Sequence, residues 1–497
     1  MLRLTAAAGF GDRPALRDGA HSISYTSLPG LVESEARWLA ASGGRRFALL
    51  ADNGCPWALT DLALASRDLL HVPLPGYFTP GQMTHVLNDA GIDVVATDQP
   101  TTLQALNLGF APSGVSPQTG LALWRRPAPV GSSPIPATTL KITYTSGSTA
   151  EPRGVCLSAG LIEAVAQSLA DATAPLHLER HLCLLPLPTL LENVAGVYAA
   201  LLTGATCEIP SLAETGMSYG GLQPGRLTAA ITSREPSSLI LVPELLRVLV
   251  HAAVMGWTPP ASLRFIAVGG ALVSPALLDQ AERVGLPVFE GYGLSECGSV
   301  VCLNTPGNNR RGSVGRPLPH VQVRLDDQQQ IIVRNAGMLG YLGDEQAQRG
   351  DEIATGDLGS IDADGFVAVQ GRLKNLLITS LGRNIAPEWV ERELQLEPEI
   401  AAALVVGEAR PWLTALISSS AAGNSPARID AAVARANCRL PDYAQVRSWA
   451  LAGEPFTFAN GALTANGRLR RAHVLRQYEQ AIEQLYREAT ADQETVA

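Results

Sequence analysis

The chain has 497 residues, a hydrophobic fraction of 46% and a formal net charge of −9. One hydrophobic core rarely serves a chain of this length, so two or more domains are expected. The acidic balance argues against a nucleic-acid-binding protein, because such proteins present a basic face to phosphates.

Apolar runs in the sequence are too interrupted to cross a membrane. The most apolar candidate, residues 239–257, contains Glu244 and Arg247, whereas a spanning helix needs roughly 20 residues with few charges. The N-terminus also lacks the sustained apolar core of a signal peptide. We therefore expect a cytoplasmic protein without an integral membrane segment.

Short apolar strands alternate with helical stretches over the first three fifths of the chain. This alternation is typical of an α/β domain. The predicted strands are residues 47–51, 94–97, 140–145, 182–187, 238–242, 263–268 and 287–289.

The predicted strand 140–145 opens into a loop of glycine and hydroxyl residues, the phosphate loop. Hydroxyl donors and exposed N–H groups beside glycine have the chemistry of a phosphate cradle. The sequence lacks the Walker pattern, so a plain P-loop NTPase is not indicated. The candidate positions are Thr145, Ser146, Gly147, Ser148, Thr149 and Arg153.

A second motif occupies residues 290–296, directly after a predicted strand. Its two glycines allow a tight turn, and the ring of Tyr292 offers a flat face for a purine. The hydroxyl of Ser295 and the carboxylate of Glu296 follow. A carboxylate suits a hard cation that bridges phosphate oxygens.

Two carboxyl-terminal segments carry further candidates. Asp357 lies beside glycine, where a short carboxylate can bind both ribose hydroxyls, and a hairpin turn is predicted at residues 362–365. Arg372 and Lys374 follow at residues 371–375. The next segment enters a helix, on which Glu388 and Glu391 are predicted to be solvated charges.

These motifs resemble, in the same order, the signatures of the acyl-adenylate-forming superfamily, and most closely those of long-chain acyl-CoA synthetases. The resemblance covers the whole chain. It implies the α/β fold class, with a large N-terminal domain of the adenylate-forming type at residues 1–370 and a small mobile α+β C-terminal domain at residues 371–497. The hinge is expected near residues 372–374.

The resemblance also implies site residues. Tyr292 would stack on adenine, Ser295 would touch the α-phosphate, and Glu296 would bind Mg²⁺. Asp357 and Arg372 would contact the ribose. Besides these and the phosphate loop, the implied nucleotide- and cofactor-binding residues are Gly270, Ala271, Glu290, Gly291, Gly293 and Gly382, with Lys374 at the hinge. The implied cofactors are ATP, Mg²⁺ and coenzyme A, or the phosphopantetheine of a separate carrier protein.

Arginine replaces the family's usual lysine at two positions. Arg468 stands where a lysine usually bridges the acid's carboxylate and the phosphate during adenylation, and Arg153 replaces a phosphate-loop lysine. Lys141 and Lys374 are the only lysines among 37 basic residues, so this arginine bias favours an arginine that performs the lysine's role. Impaired adenylation, or a non-catalytic nucleotide-binding protein, are the alternatives.

The substrate is predicted to be an apolar, fatty carboxylic acid. Residues 184–192 resemble the corresponding region of long-chain synthetases, and the aspartate that captures an amino group in amino-acid-activating domains has no counterpart. A buried ammonium without a carboxylate would be costly. A medium-chain or aryl acid stays open, as does transfer to a carrier protein in trans. The sequence does not indicate an oligomeric state.

Overall fold

The computed structural model describes residues 9–129, 132–145, 152–218, 221–335, 337–344, 352–380, 383–420, 423, 425–457, 460–464 and 469–496. The α-helices are α1 (Leu28–Ala41), α2 (Cys55–Ser66), α3 (Pro80–Asp89), α4 (Pro100–Ala105), α5 (Ala159–Thr173), α6 (Ala199–Thr203), α7 (Pro224–Arg234), α8 (Pro243–Val254), α9 (Pro275–Arg283), α10 (Pro387–Leu394), α11 (Pro426–Asn437), α12 (Arg471–Gln477) and α13 (Glu479–Val496). A π-helix (Leu191–Tyr198) runs directly into α6. Within the described residues, no helix has both the length and the apolar character that crossing a bilayer requires.

The strands are β1 (Pro14–Arg17), β2 (Ser22–Ser24), β3 (Phe47–Leu50), β4 (His71–Pro73), β5 (Val94–Thr97), β6 (Ala111–Val115), β7 (Ala122–Arg125), β8 (Thr139–Thr145), β9 (Arg153–Ser158), β10 (Arg180–Leu182), β11 (Thr206–Glu208), β12 (Met217–Ser218), β13 (Gly221–Leu222), β14 (Ser238–Leu241), β15 (Phe265–Val268), β16 (Val288–Leu294), β17 (Ser299–Leu303), β18 (Arg316–Pro317), β19 (Gln322–Leu325), β20 (Gln330–Arg334), β21 (Gly340–Tyr341), β22 (Glu352–Ile361), β23 (Val367–Arg372), β24 (Leu377–Ile378), β25 (Asn384–Ile385), β26 (Ile400–Val406), β27 (Leu413–Ser419) and β28 (Val446–Leu451).

Two large sheets build the N-terminal part. One has the strand order β18-β17-β16-β15-β14-β10-β11-β1-β2, with a parallel centre from β16 to β1. The other has the order β21-β9-β8-β4-β3-β5-β7-β6, with β8, β4, β3 and β5 parallel. A smaller antiparallel sheet, β19-β20-β22-β23, follows. Since ligands bind beyond the carboxyl ends of parallel strands, this arrangement predicts where a site lies.

The largest hydrophobic cluster joins the two large sheets. Leu16 of β1, Phe47 of β3 and Val155 of β9 belong to it, and all three are completely buried. Helices α1 and α2 lie in the same cluster and contribute Leu28 and Trp57. Burial on both faces makes the central strands apolar throughout, as is usual for parallel strands.

The predicted strand at residues 182–187 is wrong. Strand β10 ends at Leu182, and the following apolar residues are buried but carry the chain toward the π-helix. Their backbone is paired by a side chain: Asn53 donates to the Leu185 carbonyl at 2.9 Å and accepts from the Leu187 N–H at 2.9 Å. A buried backbone outside a sheet needs such partners.

The tight turn that the two glycines of residues 290–296 allow does not form at the glycines. Strand β16 continues through Leu294, and a 3₁₀ turn follows at Ser295–Cys297. The glycines serve close strand approach instead, because a Cβ on Gly293 would lie 1.7 Å from the Ser299 carbonyl oxygen. Tyr292 is therefore presented by a strand.

The C-terminal elements have a core of their own. Strands β26 and β27 pair antiparallel, and β28 pairs parallel to β27. Helices α10 and α11 cover this sheet with Val390, Leu394 and Ile429. The cluster draws its members from residues 377–449.

The prediction that Glu388 and Glu391 are solvated is wrong. Glu391 is only 7% exposed, pairs with Arg471 and accepts the Val405 N–H at 2.7 Å. Glu388 accepts from the Asn375 side chain. Both carboxylates face the seam around β23 and β26 because α10 packs against these strands.

Candidate active site

A cleft of about 1370 Å³ lies between the N-terminal sheets and the C-terminal elements. Six of the predicted site residues, namely Ser146, Gly147, Ser148, Thr149, Gly382 and Arg468, lie outside the described residues. The structure brings the others together, since the cleft is lined by Thr145, Arg153, Gly270, Ala271, Glu290, Gly291, Tyr292, Gly293, Ser295, Glu296, Asp357, Arg372 and Lys374.

Asp357 is the centre of a hydrogen-bonded group at one side of the cleft. The Tyr292 hydroxyl donates to its Oδ2 at 2.7 Å, and Arg372 Nε lies 2.8 Å from its Oδ1. Asp357 and Arg372 stand opposite each other on β22 and β23. Burial and the Asp357 charge raise the pKa of Tyr292 well above its usual value, so its hydroxyl stays a donor. Each carboxylate oxygen keeps a further lone pair for a ligand hydroxyl.

Glu296 belongs to a second group, which includes Tyr341 and Arg153. The Tyr341 hydroxyl donates to Glu296 Oε1 at 2.8 Å, and the Arg153 guanidinium lies 3.9 Å from the centre of the Tyr341 ring. Burial, with the nearby Glu296 charge, raises the pKa of Tyr341 to about 12. A carboxylate oriented by a hydroxyl has the donor chemistry that Mg²⁺ prefers, so this residue fits the implied cation.

The ends of the phosphate loop are held by a strand pair. Thr145 at the end of β8 stands opposite Arg153 at the start of β9. Gly270, with a φ of +85°, adopts the left-handed conformation that favours glycine. Gly269 lies between strands, where a Cβ would come within 3.1 Å of the Gly291 carbonyl oxygen.

The C-terminal helix α10 reaches the same cleft. Arg392 donates to the Val273 carbonyl at 3.4 Å across the cleft. Burial raises the pKa of Glu290 to about 7, although the nearby Arg392 and Arg311 oppose this shift. Lys374 lies in the turn after β23, where partial burial and Arg372 lower its pKa.

The other lysine is a buried structural residue behind the cleft wall. Lys141 Nζ donates to Asp61 Oδ1 at 2.8 Å and to Asn193 Oδ1 at 2.5 Å. Asp61 also contacts His71 at 3.0 Å and accepts from Tyr198 Oη. Because Asn193 and Tyr198 belong to the π-helix, this network ties the cleft wall to β8 and α2.

A buried cluster of His181, Cys183 and Glu192 has ligand-type side chains, but its hydrogen bonds explain it. The two ring nitrogens of His181 lie 2.8 Å from Glu192 and 3.1 Å from the Ser238 hydroxyl. Burial raises the pKa of the Cys183 thiol well above its usual value, which disfavours a thiolate ligand.

The sequence reasoning missed Tyr341 and Arg392, which both line the cleft. Neither carries a local signal, since each is one polar side chain in an ordinary strand or helix. Their roles depend on elements that lie far away in the chain.

Replacing Asp357 by asparagine is expected to raise the KM for ATP about 10- to 100-fold, because hydrogen bonds to a charged group contribute about 1.5–3 kcal/mol. Steady-state kinetics at varied ATP concentration measures this. The control is Asp364→Asn, which removes an exposed carboxylate paired with Arg310. Equal KM values for the two variants would contradict a role of Asp357 in nucleotide binding.

Comparison with known proteins identifies the same family that the sequence motifs resemble. The family model of the AMP-binding enzymes matches residues 4–343, and that of the AMP-binding enzyme C-terminal domain matches residues 374–490. The chain is 28% identical to the long-chain-fatty-acid–CoA ligase FadD15 of Mycobacterium bovis, over 94% of this chain and 91% of that protein. It is 29% identical to the indoleacetate–CoA ligase of Aromatoleum aromaticum, over 80% and 82% of the two chains.

Among solved structures, the fold is similar to that of the anthranilate CoA ligase AuaEII in complex with anthranoyl-AMP. The TM-score is 0.79 at 17% sequence identity, and the match covers 97% of this chain and 98% of that chain. At this identity the likeness concerns the fold alone.

Proposed function

The chain belongs to the AMP-binding enzyme family, and from this premise we propose that it activates an apolar, fatty carboxylic acid as acyl-AMP and transfers the acyl group to coenzyme A. The carboxylate oxygen attacks the α-phosphorus of ATP, and the bond to the bridging oxygen breaks as pyrophosphate leaves. The thiol sulfur then attacks the acyl carbonyl, AMP leaves, and the thiol proton is lost to solvent. Both steps are consistent with relatives named as CoA ligases.

The observation that supports an apolar acid is the composition of the cleft beyond the polar groups. One part of the cleft, which we call the apolar channel, is lined by side chains of the largest hydrophobic cluster. These come from α5, from the π-helix with α6, and from strands β15 and β17. They are Leu169, Leu191, Ala195, Ala199, Ala200, Phe265, Ala267, Val300 and Leu303.

The register of the parallel strands gives this apolar channel its direction. Gly270 and Tyr292 lie at or beyond the carboxyl ends of β15 and its neighbour, whereas Ser238 and Phe265 lie at the amino ends and also line the cleft. The four residues of β15 correspond to about 10 Å at 3.3 Å per residue. An elongated aliphatic chain fits a channel of this length along the sheet.

The described residues supply positioning and charge in this proposal. Asp357 and Arg372 would hold the ribose, and the ring of Tyr292 would face the adenine. Glu296 would hold Mg²⁺, which would neutralise charge on the phosphates. The proposed boundary at residues 370 and 371 is supported by the separate C-terminal core, and Lys374 stands in the turn that follows β23.

The test is pyrophosphate release with MgATP and butyrate, octanoate, palmitate, benzoate or indoleacetate, each with and without coenzyme A. We expect release with the longer aliphatic acids and an acyl-CoA product. Pyrophosphate release with the aryl acids alone would contradict the proposal that the substrate is a fatty acid. If coenzyme A neither changes the rate of pyrophosphate release nor gives a thioester product, a carrier protein would be favoured as the acceptor.

The variant Ala200→Leu sharpens this test, because Ala200 lines the channel and belongs to its hydrophobic cluster. Added methyl groups should lower kcat/KM for palmitate at least tenfold, since one methylene in a pocket is worth roughly 10- to 200-fold. Butyrate turnover and the KM for ATP serve as internal controls. An equal loss for both acids would argue against this channel as the acyl site.

A further inference from the structure

We propose that Tyr341 is a positioning residue for the adenylation step, which orients Glu296 through its hydroxyl and Arg153 through its ring. This inference rests on the proposed function, because Glu296 is the Mg²⁺ ligand in that proposal.

Tyr341 is fixed by the sheet edge on which it lies. Strand β21 pairs antiparallel with β9, and Tyr341 stands opposite Val155. The backbone N–H groups on either side donate to this strand: Leu339 to the Cys156 carbonyl and Leu342 to the Gly154 carbonyl, both at 2.8 Å. The ring therefore has a defined place beside the start of β9, where the phosphate loop ends.

The same segment holds Glu296 at two points. The Met338 N–H donates to the Glu296 carbonyl oxygen at 2.9 Å, and the Tyr341 hydroxyl donates to the Glu296 side chain at 2.8 Å. Backbone and carboxylate of Glu296 are thus both oriented by residues 338–341. Hydrogen bonds of this kind fix the direction of a ligand carboxylate, and their loss typically lowers metal affinity 10- to 100-fold.

The ring of Tyr341 acts on a different partner. Arg153 lies over its face, 3.9 Å from the ring centre, and its guanidinium is also 3.8 Å from Asp344. A cation over an aromatic face is attracted by the electrons of the ring. Removing the hydroxyl alone therefore tests the hydrogen bond to Glu296, and removing the whole ring tests the contact with Arg153 as well.

The experiment is calorimetric titration of ATP without acid, at a series of Mg²⁺ concentrations. Tyr341→Phe keeps the ring and removes the hydrogen bond, so the Mg²⁺ concentration for half-maximal effect should rise about tenfold. ATP affinity without metal should stay unchanged. Tyr341→Leu should in addition weaken ATP binding in the absence of metal, because the Arg153 guanidinium loses the aromatic ring that positions it.

The matched control is Tyr144→Phe. Tyr144 lies on strand β8, and its hydroxyl donates to Oδ2 of Asp89, at the end of α3, at 2.9 Å. This variant should leave the Mg²⁺ dependence unchanged. A purely structural role of both tyrosines would shift the two melting temperatures and neither Mg²⁺ profile.

Glu296→Gln in the same titration distinguishes a wrong assignment of the Mg²⁺ ligand from a wrong assignment of Tyr341. If it leaves the Mg²⁺ dependence unchanged, the assigned ligand is wrong and the positioning inference fails with it. If it removes the Mg²⁺ dependence while Tyr341→Phe binds Mg²⁺ like the wild type, the proposed ligand stands and the role of Tyr341 is overturned.

Discussion

Replacing Arg468 by alanine is expected to lower acid-dependent pyrophosphate release about 10²–10³-fold, the usual effect of losing one preorganised electrostatic donor. The sequence resemblance gives this residue the task of neutralising charge between the carboxylate and the α-phosphate. Arg468→Lys restores the family's usual cation and should release pyrophosphate at the wild-type rate or faster. Stopped-flow or coupled pyrophosphate assays measure both variants.

The second half-reaction provides the control for Arg468. Chemically prepared acyl-AMP and coenzyme A should still give the thioester in Arg468→Ala, because the missing cation acts in the first step. Arg428→Ala, at an exposed position of α11, controls for a general loss of positive charge. Wild-type pyrophosphate release by Arg468→Ala would contradict an adenylation role of Arg468. If the wild type itself released no pyrophosphate with any acid of the panel, the non-catalytic alternative would be supported.

Glu296→Gln is expected to reduce kcat/KM for ATP about 10³-fold, because a metal ion supplies several kcal/mol of charge stabilisation and each 1.36 kcal/mol is tenfold in rate. Glutamine keeps the size of the side chain and its ability to accept from Tyr341, so folding should be preserved. Turnover as a function of Mg²⁺ concentration is the measurement.

The control for Glu296 is Glu214→Gln, an exposed carboxylate that pairs with Arg234. It should behave like the wild type at every Mg²⁺ concentration. If Glu296→Gln kept full turnover with an unchanged Mg²⁺ optimum, another group would have to hold the metal.

The family and the fold class could be predicted from the sequence, and the family models confirm both. Local signals were sufficient where burial makes a strand apolar throughout, as in β5 and β14. They failed at residues 183–187, where an apolar run is buried without being a strand because Asn53 satisfies its backbone.

The remainder of the site depends on contacts that no local pattern contains. Tyr341 meets Glu296, 45 positions earlier, because β21 pairs with β9. Glu391 is buried because Arg471, 80 positions later, pairs with it. A charged helix residue that the sequence pattern assigns to the solvent-exposed face can be buried when another element of the fold supplies an oppositely charged partner.

The burial of Lys141 makes the chain a convenient object for site-directed chemistry. The Lys141 ammonium is completely buried and hydrogen-bonded, whereas the Lys374 side chain, in the turn between β23 and β24, is only partly shielded at the edge of the cleft. Of the two lysine side chains, amine-reactive fluorophores should therefore attach only to Lys374 in the native protein, at the junction of the two proposed domains. The unmutated enzyme carries its own attachment point for an optical reporter of their relative movement.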